Sequence, residues 1–227
     1  PVTGRVASAN VGGVNWTYTY TSFGEVQSLH VTTGAGPLLD LAYTYDKLSR
    51  IVTKTEADNA GAPIAWGYAY DLAGRLTTVT KGGATDSTYA YDANGNRTDN
   101  AAAVDDQDRL LSGFGATYTY TPNGDLATKT DGAGLTQYSY DGRGVLTGAA
   151  LPASHSVSYG LDAIGRRVSR TYDGAVTHRW VYRNGLQISA EVDVAGSVLS
   201  RFVYAAMSQT PAYMDRGGVT YAFVTDH

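Results

Sequence analysis

Cysteine is absent from the 227 residues, which excludes disulfides, thiolate metal sites and cysteine nucleophiles. Methionine occurs only 2 times and proline 6 times, and charged residues make up only 17% of the chain. The scarcity of Lys and Glu disfavours long helices. No apolar run approaches the roughly 18 residues of a membrane span. The net charge is −4, without the basic surplus that a sequence-independent grip on nucleic acid requires. At 43% hydrophobic residues the chain is nonetheless too apolar to be disordered by composition. What it has in abundance is Gly (27) and Tyr (18), a balance that favours strands joined by glycine-rich turns. It begins at Pro1 with no signal peptide and ends at His227 straight after a strand-like run, which reads as a piece of a longer protein.

The chain repeats. The pairs Tyr18/Tyr20, Tyr43/Tyr45, Tyr68/Tyr70, Tyr89/Tyr91, Tyr118/Tyr120 and Tyr138/Tyr140 use twelve of the eighteen tyrosines. Each pair runs into a turn: Gly24 after the first, Asp46 after the second, Asp71, Gly74 and Arg75 after the third. Asp92 and Gly95 follow the fourth, Gly124 the fifth, and Asp141 and Gly144 the sixth. Weaker copies are read at Asp106–Leu110, Tyr159–Arg167, Trp180–Tyr182, Phe202–Tyr204 and Tyr221–Phe223. The period is about 20–25 residues.

The unit reads as a β-hairpin. Tyr-x-Tyr places two rings on one face of a strand, because side chains alternate with period two. Asp-x-x-Gly then supplies a type I turn with glycine free to take positive φ. With Leu72, Ala73 and Gly74 as the loop, Asp71 faces Arg75 and Tyr70 faces Leu76; the same register pairs Asp46 with Arg50 and Asp162 with Arg166. Residues 60–63, 101–103 and 148–152 read as loops between hairpins, and 205–218 as an irregular loop. Residues 1–227 read as one all-β array of antiparallel hairpins forming a curled strip, regular over about 1–155 and degenerate over 156–227.

The pattern Tyr-x-Tyr-Asp-x-x-Gly-Arg-Leu resembles the YD repeats of the Rhs family, best at Tyr68–Leu76 and Tyr89–Arg97, and the resemblance covers nearly the whole chain. Arg201–Tyr204 and Tyr221–His227 resemble the approach to the Rhs-associated core. Members of that family include bacterial polymorphic toxins, the shell component of insecticidal toxin complexes, wall-associated proteins and teneurins. The resemblance implies a strip that spirals into a hollow shell around a C-terminal toxin, in a secreted or cell-surface bacterial protein. Its partners would be the remaining repeats, the core and the enclosed cargo. It also places the end of this chain ahead of the core, so neither self-cleavage nor toxin activity is expected of these residues. About 20 strands at ~4.8 Å give a strip of roughly 90 Å, whereas a wall around a 100-residue cargo needs ~135 Å of circumference. The segment alone is therefore less than one turn of a shell.

No chemistry competes with this reading. His30, His155, His178 and His227 lack metal-ligand spacing. Asp46, Asp71, Asp92 and Asp141 each bring one carboxylate to a turn, whereas Ca²⁺ wants six to eight oxygens, so capping and cross-strand pairing suffice. No nucleophile-elbow sequence supports a Ser/His/Asp triad, and Gly82-Gly83 and Gly217-Gly218 lack the context of a phosphate loop. Asn15-Trp16-Thr17 and Asn96-Arg97-Thr98 match the glycosylation pattern, which matters only in a eukaryotic secretory pathway. No cofactor, metal or catalytic site is expected. The alternative is a surface module whose tyrosine rows stack on sugars or hold another protein, which requires exposed rings.

Overall fold

A computed structural model describes residues 4–204 and 209–224. It is all-β apart from one 3-10 turn at Pro152–Ser154. An eight-stranded sheet contains β1 (Ser8–Val11), β2 (Val14–Tyr20), β3 (Val26–Thr33), β4 (Gly36–Tyr45), β5 (Ile51–Asp58), β6 (Ile64–Tyr70), β7 (Leu76–Lys81) and β8 (Ala84–Thr88). A thirteen-stranded sheet starts with β9 (Ala103–Val104), β10 (Leu110–Gly113), β11 (Ala116–Tyr120), β12 (Leu126–Asp131), β13 (Gly134–Tyr140) and β14 (Leu146–Ala150). It continues with β15 (Ser156–Leu161), β16 (Arg167–Tyr172), β17 (Ala175–Tyr182), β18 (Ile188–Val192), β19 (Val198–Tyr204), β20 (Pro211–Arg216) and β21 (Val219–Ala222). In both sheets spatial order equals chain order, so the connections are hairpins. The described residues divide into two compact units, one holding 4–90 with 220–224, the other 91–204 with 209–219.

The core of the first unit sits on one face of three consecutive strands: Val14 and Trp16, Leu29 and Val31, Leu41 and Tyr43. Period-two alternation puts them there, and the register joins them: Trp16 faces Val31, Tyr18 faces Leu29, and Leu29 faces Leu41. Leu29 and Val31 are fully buried, worth about 1.5–3 kcal/mol each. In the second unit the buried residues include Ala116, Ala149, Gln187, Glu191 and Ser200, a more polar set.

The register at Asp71 is as the turn chemistry dictates. Tyr70 pairs with Leu76 across the strands, and the Asp71 amide donates to the Arg75 carbonyl. Three expectations need correction. The copy at Tyr89–Arg97 forms its turn, but Tyr91 and Arg97 make only an isolated bridge. Asp, Asn, Gly and Ala over 92–103 pack poorly on a pleated surface, and no strand forms between β8 and β9. Residues 148–150 are strand, not loop: a Cβ on Gly148 would lie 2.6 Å from the Val157 carbonyl oxygen, so the small residue permits pairing with β15. Within 205–218, Pro211–Arg216 is strand β20, with proline at the first position where it is tolerated. Residues 205–208 lie outside the described part. Gly82-Gly83 and Gly217-Gly218, with both φ positive, are two-residue hairpin turns.

Candidate functional site

The repeated feature of this chain is a ladder of turns, and each rung is built the same way. The first residue of the turn donates its amide to the carbonyl of the fifth, and the fourth residue's amide returns to the first residue's carbonyl, as in Asp71, Arg75 and Gly74 at 2.9 and 3.0 Å. The fourth position has positive φ: Gly24, Gly74, Gly95, Gly124, Gly144 and Gly165 take it readily, whereas Ser49 and Asp108 adopt it at φ 58° and 59°.

The aspartate is fixed by its two oxygens. Asp46 Oδ1 accepts from the amides of Leu48 (2.8 Å) and Arg50 (3.1 Å), and its Oδ2 accepts from Arg50 Nε (2.7 Å). Asp71 with Arg75, Asp105 with Arg109 and Asp162 with Arg166 repeat the arrangement. At Asp92 the side-chain donor is Asn96, and at Asp141 it is Arg143. Donation from the Arg50 side chain holds the Asp46 carboxyl below its ordinary range. For Asp71 the largest cause of the same lowering is the Arg75 amide, for Asp105 the Arg109 side chain. The oxygens a Ca²⁺ ion would need thus receive protein donors.

Two turns exchange the chemistry. Where the first residue is Thr21 or Thr121, the fifth is Glu25 or Asp125. The Thr hydroxyl accepts from the fifth residue's amide and donates its proton to that residue's carboxylate. A hydroxyl carries both donor and acceptor capacity, so it stands in for the aspartate only if the partner becomes an acceptor.

Many rungs are tied to the next by a tyrosine, the second aromatic of the aromatic-x-aromatic pair. A bulge follows every such turn: Thr44 faces Thr53 but Tyr45 faces Ile51, so Val52 has no partner. Beyond it the backbone pairing of β5 to β6 stops at Thr53 with Gly67. The Ile51 carbonyl is instead reached by the hydroxyl of Tyr70, at 2.7 Å. Tyr45 does this to Val26, Tyr120 to Leu110, Tyr140 to Leu126, Tyr182 to Arg167 and Tyr204 to Ile188. The tyrosine hydroxyl therefore continues the hydrogen-bond ladder where two hairpins part, satisfying a carbonyl that the bulge frees.

The guanidinium closes the rung from the other side. Arg50 lies 4.5 Å from the Tyr70 ring centroid, Arg109 5.0 Å from Tyr120 and Arg166 4.6 Å from Tyr182, each while bound to its own aspartate. Arg166 Nη1 also donates to the Asn184 carbonyl of the next turn at 2.6 Å. The sequence shows the Asp–Arg pair but gives no sign of its reach to a tyrosine 11 to 20 residues on.

The motif tyrosines are all buried or half-buried, and the residues between them, such as Thr19, Thr44, Ala69, Ala90, Thr119 and Ser139, are exposed. On that outer face hydroxyls pair across strands, Thr19 with Ser28, Thr44 with Thr53 and Thr119 with Thr128, at 2.6–2.7 Å.

The remaining candidates fall elsewhere. His30 pairs with Asp40, and His155 Nδ1 lies 2.6 Å from Asp173 Oδ2. His178 stacks on Trp180, with Nε2 3.6 Å from Glu191. His227 lies outside the described residues. Sheet register brings together one cluster that no local signal announces: Glu191 binds Arg216 at 2.7 Å, and Ser200 lies between their strands. Among the described residues no group of three or more His, Asp or Glu is arranged to hold a metal ion, and no helix is long and apolar enough to cross a membrane.

Comparison with known proteins bears on this ladder directly. The family model described as Teneurin YD-shell matches residues 4–227. Among solved structures, the chain is similar to the crystal structure of TcdB2-TccC3, at 14% identity and a TM-score of 0.36, covering 78% of this chain and 12% of that one. For the same assembly without its hypervariable C-terminal region the identity is 14% and the TM-score 0.38, over 84% of this chain and 12% of that one. For the Tc holotoxin pore of Photorhabdus luminescens they are 11% and 0.32, over 83% and 12%. The chain thus spans about an eighth of the length of these structures. No curated protein matches it.

Proposed function

Since the chain belongs to the Teneurin YD-shell family, we propose that it is a length of wall in a larger β-shell, and that the complete protein uses this wall to enclose a cargo such as a toxin domain. The observation that carries the reading is the rung-to-rung joint. At seven joints among the described residues a carbonyl of one hairpin is reached by its neighbour's tyrosine hydroxyl, and at four of them a guanidinium also lies over that ring. Such a sheet grows by nearest-neighbour contacts, which is how a repeat protein builds an extended surface. Its role is mechanical rather than catalytic, its partners are the remaining repeats and the cargo, and its setting is a secreted or surface-displayed protein. The burial of the tyrosine rings favours a wall over a glycan-stacking platform.

Limited proteolysis of the full-length natural product that contains this segment tests the proposal. The expected result is a C-terminal piece that survives until the β-rich part is denatured. Immediate digestion of that piece while the repeats persist would remove the enclosure reading.

A further inference from the structure

Not every rung carries an arginine at its fifth position, and the rungs that do show what would fill the space where one without it opens into a cleft. Between the turns 21–25 and 46–50 lies an open cleft of about 570 Å³. It is lined by Glu25, Tyr45, Ser49 and Asp46, with Phe23 and Lys47 at its side. In the neighbouring rung the corresponding place is filled by the Arg50 guanidinium over the Tyr70 ring. Here the fifth residue is Glu25, and among the described residues no guanidinium lies over Tyr45. Arg5, the nearest arginine in the chain order of rungs, lies over Tyr20 instead.

The electrostatics match the vacancy in the pattern. Glu25 receives hydrogen bonds from the Thr21 and Ser49 hydroxyls and from its own amide, and feels the charge of Arg5, but no ion pair is formed with it among the described residues. A carboxylate has about four lone-pair sites, and these hydrogen bonds leave room for a further donor. The Thr21 hydrogen bond is the largest cause holding the Glu25 carboxyl below its ordinary range, which keeps it charged. A planar guanidinium satisfies both demands, forking onto a carboxylate and stacking on a ring, as an ammonium does not. Phe23, 87% exposed, offers an apolar wall for the stem of such a side chain.

We propose that this cleft binds a guanidinium group, presented as an arginine side chain of a neighbouring polypeptide. The assignment stands on the rung geometry alone and is independent of whether the wall encloses a cargo. Asp125 makes the same exchange below Tyr140, but the assignment is confined to the cleft at Glu25, where the ring, the carboxylate and the open volume occur together.

The test is a titration of the 227-residue chain with N-acetyl-arginine amide, followed by the ring proton shifts of Tyr45 and Phe23. Saturable binding is expected in the millimolar range, about tenfold tighter than for N-acetyl-lysine amide. Free arginine should bind more weakly than the capped form, because its α-carboxylate meets Glu25 and Asp46; the reverse order would point to the free amino acid and overturn the polypeptide source. Glu25→Gln keeps an acceptor for Ser49 and removes the charge, and should weaken binding about tenfold. Glu25→Arg should fill the cleft from within and abolish it. Equal affinity for the lysine and arginine probes, unchanged affinity in Glu25→Gln, or no saturation at about 20 mM overturns the proposal.

Discussion

At the scale of single residues, two glycines have different reasons to be glycine. Gly74 has φ +83°, and a Cβ there would sit an ordinary 3.5 Å from Arg50 Nη1. The cost of Gly74→Ala is therefore backbone strain, about 1–2 kcal/mol, and Arg50→Ala should not relieve it. At Gly67 the φ is unremarkable but a Cβ would meet Thr80 Oγ1 at 2.6 Å. Gly67→Ala should cost about 1–3 kcal/mol by crowding, and most of that should vanish in a Thr80→Ala background. Chemical denaturation of the four single and two double variants separates the two mechanisms. Asp-x-x-Gly was legible in the sequence because its chemistry is local: the positive φ and the Asp–Arg pair both lie within five residues. Asp105 stands after no Tyr-x-Tyr pair, so nothing in the sequence fixes the phase of that copy and it reads one residue late, from Asp106.

The turn aspartates also set the response to acid. Asp46, Asp71 and Asp105 titrate lower in the fold than free carboxyls do, held by arginine and backbone donors. A group whose folded value is depressed stabilises the fold above its unfolded value, near 3.9, and that contribution is lost as pH falls through the folded value. The melting temperature should therefore be level from about pH 7 to 5 and decline below about pH 4. Asp71→Asn and Asp105→Asn together should flatten that decline, while an unchanged acid limb would show that other carboxyls govern it.

At the scale of the hairpin, the joint between rungs joins residues 19 and 20 positions apart, Ile51 and Arg50 with Tyr70. Tyr70→Phe leaves the Ile51 carbonyl without its donor and should cost about 1 kcal/mol. Arg50→Ala removes the stacked cation and unpairs Asp46. If ring and guanidinium act as one joint, Tyr70→Leu, which removes the ring as well, combined with Arg50→Ala should be less destabilised than the sum of the two by about 0.5–1 kcal/mol. Additive losses would mean that the stacking contributes nothing beyond the hydrogen bond. The hairpins were legible because strand and turn signals alternate along the chain. The joint was not, since nothing near Arg50 in the sequence indicates which ring it covers. The same limit hid the Glu191–Ser200–Arg216 cluster, whose members sit on three strands, and β20, whose Pro211 and following Gly217-Gly218 read as breakers although each stands at a strand boundary.

At the scale of the whole molecule, strand number limits what the chain can enclose. Among the described residues, twenty-one strands in sheets of eight and thirteen supply ~100 Å of wall at ~4.8 Å per strand. A cargo of about 100 residues needs ~135 Å around it. The break at residues 89–102, where the repeat motif persists but the strands do not, reduces the continuous wall further, to about 62 Å in the larger sheet. If enclosure is a property of the complete shell, this chain alone must fail at it. A reporter domain of about 100 residues fused after His227 should be digested at the same rate as the free reporter, while the same reporter in the full-length protein should be protected. Protection by the 227-residue chain itself would mean that copies of it close a wall together, and that the shell is assembled from several chains rather than wound from one.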